Sequence, residues 1–361
     1  MSYIDIVISS FIALLASLLL TKPVKQLAIK IGAMDIPDHR KIHKNPTPRL
    51  GGLAIFFGVV AGLLYLRPEM NSFLAICIGS LIIIATGILD DKYQLKPLMK
   101  MGGQLTATII LIYSGLIIEK ITLPFFGLVH LSPTFSVIIT ILWVVGITNA
   151  INLIDGLDGL ASGVTTIALV SIMVMAILDG QIAVVGLCAI LIGSNLGFLY
   201  HNFHPAKIYM GDTGSMFLGF TVAVISILGL FKNVTLFSFI LPIIVLAVPI
   251  FDTLFAIVRR WYNGENIMMP DKHHIHYQLL NAGFSHRATV LMIYGFSAVF
   301  GILAIAFSNA SIGFSLVISF ILLILLHLFA EIVGAVKGKR PVLRFLKKTY
   351  YKAKTTTLKS K

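Results

Sequence analysis

Apolar runs such as FLAICIGSLIIIATGIL (73–89) and IGFSLVISFILLILLHLFAEIVG (312–334) recur through the 361 residues and restrict the chain more than any other feature. A hydrocarbon layer about 30 Å thick is crossed by roughly 20 apolar residues in a helix, because backbone N–H and C=O groups must pair internally where water is absent. Eleven such runs fall near 3–22, 48–66, 72–89, 102–118, 134–151, 159–178, 181–199, 214–231, 236–258, 289–307 and 310–334. The expected fold is therefore all-α, a polytopic membrane protein of about eleven transmembrane helices. With 57% hydrophobic and 12% charged residues and a mean hydropathy of +0.95, the composition excludes an ordinary soluble domain. The first run lacks a basic n-region and a small-residue cleavage site, so it reads as a retained span. Cys77 and Cys188 both lie inside apolar runs and argue for neither a disulfide framework nor a cysteine metal site.

Basic residues orient this scheme. With the N-terminus outside, 25 of the 28 Lys and Arg fall in inner connections, and only Arg67, Lys120 and Lys232 fall outside. The C-terminus is then cytoplasmic. The chain divides into a membrane unit, 1–336, and a basic tail, 337–361, whose ten positive charges suit anionic lipid headgroups. The net charge of +13 sits beside membrane spans, which favours membrane lipid over nucleic acid as its partner.

The acids follow the same geometry. Asp90 and Asp91 close the third span, Asp155 and Asp158 the fifth; Asp212 opens the eighth and Asp252 lies near the inner end of the ninth. All six are expected at one membrane face, whereas Asp5, Glu69, Glu119 and Asp179 are isolated on the other. A carboxylate at membrane depth costs on the order of 3 kcal/mol and normally faces a partner or a wet cavity. Six of them imply a shared cation. Asn152, Asp155 and Asp158, spaced i, i+3, i+6, would line one side of a helix, and glycines 156, 159 and 163 would allow close approach of a ligand or of another helix. Adjacent Asp90 and Asp91 would repel without a counter-ion. All-oxygen ligation favours Mg²⁺ or Mn²⁺, which bind through carboxylates and substrate phosphates.

Two inner loops carry further chemistry. RRWYNGENIMMPDKHHIHYQLLNAGFSHRAT holds His273, His274, His276 and His286, whose close spacing is awkward for tetrahedral zinc and better suits contact with phosphate or sugar hydroxyls. DIPDHRKIHKNPTPRLGG joins Arg40, Lys41, His43, Lys44 and Arg49 to three prolines and a Gly-Gly, as though basic groups were fixed for an anion.

DDK, NLIDGLDGLASG, NFHPAKIYMGDTGS and DKHHIH, in this order, resemble the motifs of the polyprenyl-phosphate N-acetylhexosamine-1-phosphate transferase family across nearly the whole chain. The resemblance implies transfer of a sugar 1-phosphate from a UDP-sugar donor to a polyprenyl phosphate acceptor, with Mg²⁺ and release of UMP, at the cytoplasmic face of a bacterial cell membrane. By motif, Asp212 would bind Mg²⁺ directly, with Asp91 and Asp155 close to the metal and Asp90 a base toward the lipid phosphate. Asn152, Asp155 and Asp158 would form a metal-proximal and nucleotide-binding wall. Asn202 would contact uracil, and Tyr209, where the peptidoglycan branch tends to have Phe, would stack on it. Lys44, Arg49 and Asp252 would join substrate binding, and His273, His274 and His276 would meet the diphosphate or sugar. The HHIHYQ run, the eleventh span and the basic tail are closer to the N-acetylglucosamine branch that starts teichoic acid or O-antigen than to the pentapeptide branch. A homodimer is compatible with this reading. The alternatives are phospho-MurNAc-pentapeptide transfer and, from another class, an ion-coupled secondary transporter, which predicts acids near the bilayer midplane.

Overall fold

The computed structural model describes residues 1–36, 46–123, 127–229, 240–265 and 273–334, with a few positions beyond 340. Its helices are α1 (Tyr3–Ile31), α2 (Gly51–Leu66), α3 (Phe73–Tyr93), α4 (Pro97–Tyr113), α5 (Pro133–Ile154), α6 (Leu160–Leu178), α7 (Ile182–Asn202) and α8 (Gly211–Gly229). They continue as α9 (Ile240–Val245), α10 (Ala247–Tyr262), α11 (Ile275–Asn281), α12 (His286–Ser308) and α13 (Ile312–Val333). Local chemistry sets several boundaries. Ser2 and Ser285 accept backbone N–H bonds that cap α1 and α12, Pro97 and Pro133 sit in the first turns of α4 and α5, and left-handed Gly32 and Gly334 end α1 and α13.

Among the described residues, eight helices are long and apolar enough to cross a membrane, and α2 is a shorter apolar helix. The multi-pass helical architecture is thus as expected, with differences in detail. Two antiparallel two-stranded hairpins interrupt an all-α chain: β1 (Met34–Asp35) with β2 (Thr47–Pro48), and β3 (Lys120–Leu123) with β4 (Gly127–His130). α1 runs past residue 22 to Ile31, so Lys22, Lys25 and Lys30 ride on helix instead of loop. The ninth run is broken at Leu246 into α9 and α10. Its first residues, Lys44 with Arg40, Lys41 and His43, and nearly all of the 337–361 tail lie outside the described residues.

The core is built around α8, every residue of which is buried except Asp212. Helices α2, α3, α5, α6 and α7 all pack against it. Near its N-terminus this packing is backbone on backbone. A Cβ placed on Gly52 of α2 would lie 2.1 Å from the Gly214 nitrogen, and one on Gly87 of α3 would lie 2.4 Å from the Thr213 Cα. Small residues here allow three helices to meet without intervening side chains, the packing mode available where lipid offers no hydrophobic drive between helices.

Gly52→Ala is expected to lower stability by about 1–3 kcal/mol, since neither backbone can yield cheaply. Gly102→Ala, where a Cβ meets nothing within 4 Å, should cause no loss. Thermal unfolding of the two purified variants in detergent compares them directly.

Candidate active site

The junction of α2, α3 and α8 creates an unusual helix start. Asp91, near the end of α3, accepts the Asp212 N–H at 2.8 Å, the Thr213 N–H at 3.0 Å and the Thr213 hydroxyl at 2.7 Å. A neighbouring helix therefore supplies the carboxylate that satisfies the first amides of α8 and meets the positive end of its dipole. Gly211, at φ +71°, is required there, because its Cβ would fall 2.3 Å from an Asp91 oxygen. The Asp91 side chain is fully buried.

Arg49 closes the charge balance around it. Its guanidinium lies 3.3 Å from Asp35 and 3.4 Å from both Asp91 and Asp212. Burial works against its charge, but Asp91, Asp212, Asp35 and Asp90 outweigh that and hold its pKa up. Arg49 is placed by strand-like pairing between the segments preceding α2 and α8: the Tyr209 N–H donates to the Pro48 carbonyl at 2.8 Å, and the Gly51 N–H to the Tyr209 carbonyl at 2.9 Å. On the other side, the Lys100 ammonium at the start of α4 pairs with Asp90 at 2.7 Å and with Asp212. Asp90 also accepts the Leu95 N–H at 2.7 Å. The adjacent acids are thus separated by having different cations.

Asp212, Asp155, Asp158, Asp35 and Arg49 line one cleft of about 340 Å³, with Asn152, Asn202, His204, Tyr209, Tyr277 and His286. The expected continuous helix through Asn152, Asp155 and Asp158 is corrected. α5 ends at Ile154, Asp155 is its cap at φ −74°, ψ 52°, and Gly159 at φ +78° precedes α6. The glycines break the helix and turn its end into a cleft wall. Asn152 donates to Ser215 of α8 at 2.8 Å, and Asn202 holds the turn by accepting the Gly159 N–H at 3.0 Å. Asp158 accepts the Ala206 N–H at 3.1 Å and bonds the His204 Nδ1 at 2.7 Å; the His204 ring stacks on His286, with centroids 4.0 Å apart. Burial, then Asp212, raises the Asp155 pKa to about 8 against the pull of Arg49.

The histidine loop does not act as one unit. His274 Nδ1 bonds Asp252 at 2.8 Å, and the Ile275 N–H donates to the other Asp252 oxygen at 2.8 Å. Asp252, buried and fully used in this way, anchors the loop instead of lining the cleft. His276 is buried against Gly156, where a Cβ would lie 2.3 Å from its Nε2, and its ring nitrogens have no hydrogen-bond partner among the described residues. Burial lowers its pKa to about 4, so it is neutral near pH 7. His273 is exposed and outside the cleft lining. Lys44 lies outside the described residues.

Sequence reasoning missed Lys100, Asp35, His204 and Tyr277. Lys100 was detectable: Pro97 opens a helix just after Asp90 and Asp91, which returns a basic first turn toward Asp90.

Two outcomes follow from these charges. Arg49→Gln strands buried carboxylates and should cost about 3–5 kcal/mol, measurable as a large fall in melting temperature. Because its folded pKa is raised, Asp155 opposes folding increasingly as pH climbs above the ordinary carboxylate range, with the full loss reached above about 8. Asp155→Asn should therefore raise the melting temperature of metal-free protein most at pH 8–9 and flatten its pH dependence in that range.

Comparison with known proteins bears on this geometry. The profile of glycosyl transferase family 4 matches residues 73–230. The chain is 49% identical, over 96% of its length and 97% of the relative's, to a probable undecaprenyl-phosphate N-acetylglucosaminyl 1-phosphate transferase of Bacillus subtilis. It is 35% identical, over 76% of its length and 75% of the relative's, to the decaprenyl-phosphate N-acetylglucosaminephosphotransferase of Mycobacterium tuberculosis. It is 30% identical, over 81% and 84%, to an undecaprenyl-phosphate alpha-N-acetylglucosaminyl 1-phosphate transferase of Haemophilus influenzae.

Proposed function

We propose that this chain, which belongs to glycosyl transferase family 4, transfers N-acetylglucosamine 1-phosphate from UDP-N-acetylglucosamine to undecaprenyl phosphate and releases UMP. The observation that carries this reading is the charge imbalance of the site. Asp35, Asp90, Asp91, Asp155, Asp158 and Asp212 face only two fixed cations, Arg49 and Lys100, among the described residues. A site that receives an anionic diphosphate and an anionic lipid phosphate needs more positive charge than that.

Mg²⁺, or Mn²⁺, fits the deficit. Asp155 and Asp212 both line the cleft, and burial together with the nearby Asp212 charge disfavours the ionised form of Asp155. These two residues would hold the ion, which when bound neutralises the diphosphate. Asp91, with its oxygens turned to α8 and Arg49, would act behind that pair, not as a ligand.

The chemistry is in-line displacement. An oxygen of the lipid phosphate attacks the phosphorus that carries the sugar, and the bond to the uridylyl phosphate breaks to release UMP. The acceptor oxygen is already anionic, so Asp90 is better read as the partner that holds Lys100 than as a base. Lys100 and Arg49 supply fixed positive charge at the point where the two phosphates meet. Tyr209 and Asn202 would take the nucleoside in the cleft that they line together with Asp158 and the His204–His286 stack. Neutral His276, pressed on Gly156, shapes the turn beneath the sugar.

The wider reading is eleven passes, with the cleft on the cytoplasmic side of a bacterial cell membrane, where 25 of the 28 Lys and Arg collect. The product would begin a teichoic-acid-type surface glycan.

Purified protein given undecaprenyl phosphate and a panel of UDP-sugars should release UMP with UDP-N-acetylglucosamine. Release only with the MurNAc-pentapeptide donor would overturn the donor assignment. Asp212→Asn should reduce UMP release by at least about 10³-fold in folded protein, and chelation of divalent ions should stop turnover until Mg²⁺ is restored.

A further inference from the structure

We propose that the amide pair formed by buried Gln104 and half-buried Asn149 is a positioning device that holds Lys100 over Asp90 and Asp212. The inference rests on the reading above that Lys100 supplies positive charge to the transfer.

α4 is loosely held. Its buried residues are Gln104, Ala107, Thr108 and Leu111. Ala107 and Leu111 make apolar contacts, which tolerate sliding, and the Thr108 hydroxyl turns back to its own helix at the Gln104 carbonyl, 2.7 Å away. Among the described contacts of these four, Gln104 alone makes side-chain hydrogen bonds to other helices. Its Oε1 accepts from Asn149 Nδ2 at 2.8 Å, and its Nε2 reaches Asn149 Oδ1 at 3.4 Å and Met216 Sδ at 3.5 Å. Asn149 Nδ2 is fixed in turn by the Val145 carbonyl at 2.8 Å. A reciprocal amide pair has one register. A slip of α4 by one turn, about 5.4 Å, would break every bond of the pair and leave the buried Gln104 amide without these partners.

The pair lies one helical turn from site residues on α4, α5 and α8. Lys100 precedes Gln104 by four residues on α4, and Asp212 precedes Met216 by four on α8. Asn152 follows Asn149 by three on α5, and its amide donates to Ser215 beside Met216 at 2.8 Å. Residues four apart share a helix face, so fixing Gln104 against Asn149 and Met216 fixes the height of Lys100 relative to Asp212. The ammonium is thereby carried between two carboxylates from different helices. Gln104 and Asn149 touch neither reacting group; their action is through Lys100.

The test uses full-length protein in detergent and reads Lys100 directly. Gln104→Leu should lower kcat roughly 10- to 100-fold with the donor KM within about twofold. It should also raise the rate of Lys100 acetylation by an amine-reactive ester several-fold, followed by peptide mass spectrometry. The exchanged pair, Gln104→Asn with Asn149→Gln, should recover turnover and protection together. If Gln104→Leu does not fold, Asn149→Ala is read by the same labelling. Unchanged Lys100 acetylation in a folded variant, or unchanged kcat, would overturn the proposal. Lys100→Met separates the two readings: full turnover in that variant would remove Lys100 from the reaction, while the labelling still decides whether the amide pair positions it.

Discussion

A carboxylate from one helix capping the first amides of another is the interaction on which this site depends. Asp91 reaches the N-terminus of α8 only because Gly52, Gly87, Gly211 and Gly214 let three backbones close to contact distance. That approach places Asp212 at the first turn of α8, beside Asp90 and Asp91, where Arg49 and Lys100 bridge acids from different helices. Packing and electrostatics are therefore one problem here. The glycines make room for the charges, and the charges hold together helix ends that would otherwise present bare amides and acids to a low-dielectric interior.

The cleft inherits its chemistry from this arrangement. Among the described residues its fixed cations, Arg49 and Lys100, are already engaged, and its carboxylates outnumber them. Burial and the neighbouring Asp212 raise the Asp155 pKa there. The opposite wall is built differently, from hydrogen-bonded turns: Asn202 on Gly159, Tyr294 on the Gly159 carbonyl at 2.5 Å, and His204 on Asp158. One side of the cleft is thus rich in charge, and the other in oriented polar and aromatic groups.

Much of this was legible from residues alone. Apolar length gave the helices, because an unpaired backbone in lipid leaves no alternative, and the positions of Asp90, Asp91, Asp155 and Asp212 at or near helix ends gave their convergence. What escaped was local backbone geometry. A spacing of three suggested that Asn152, Asp155 and Asp158 share a helix, yet Gly156 and Gly159 favour a turn, and Asn202 offers the partner that stabilises it. The adjacent acids suggested a counter-ion, and no local pattern showed that each also has a protein cation; Arg49 and Lys100 lie 42 residues before and nine after Asp91. Nor does spacing reveal that Asp252 serves His274 or that His276 faces Gly156. Such pairings depend on tertiary contacts that no local pattern encodes.

The central claim is energetic coupling between the α8 cap and its guanidinium. A double-mutant cycle of Arg49→Gln and Asp91→Asn, read as unfolding free energy in detergent, tests it most directly. The account predicts strong non-additivity, with the double variant losing at least about 1 kcal/mol less than the two single losses together. Losses that simply add would contradict it, since Arg49 and Asp91 would then not stabilise one another.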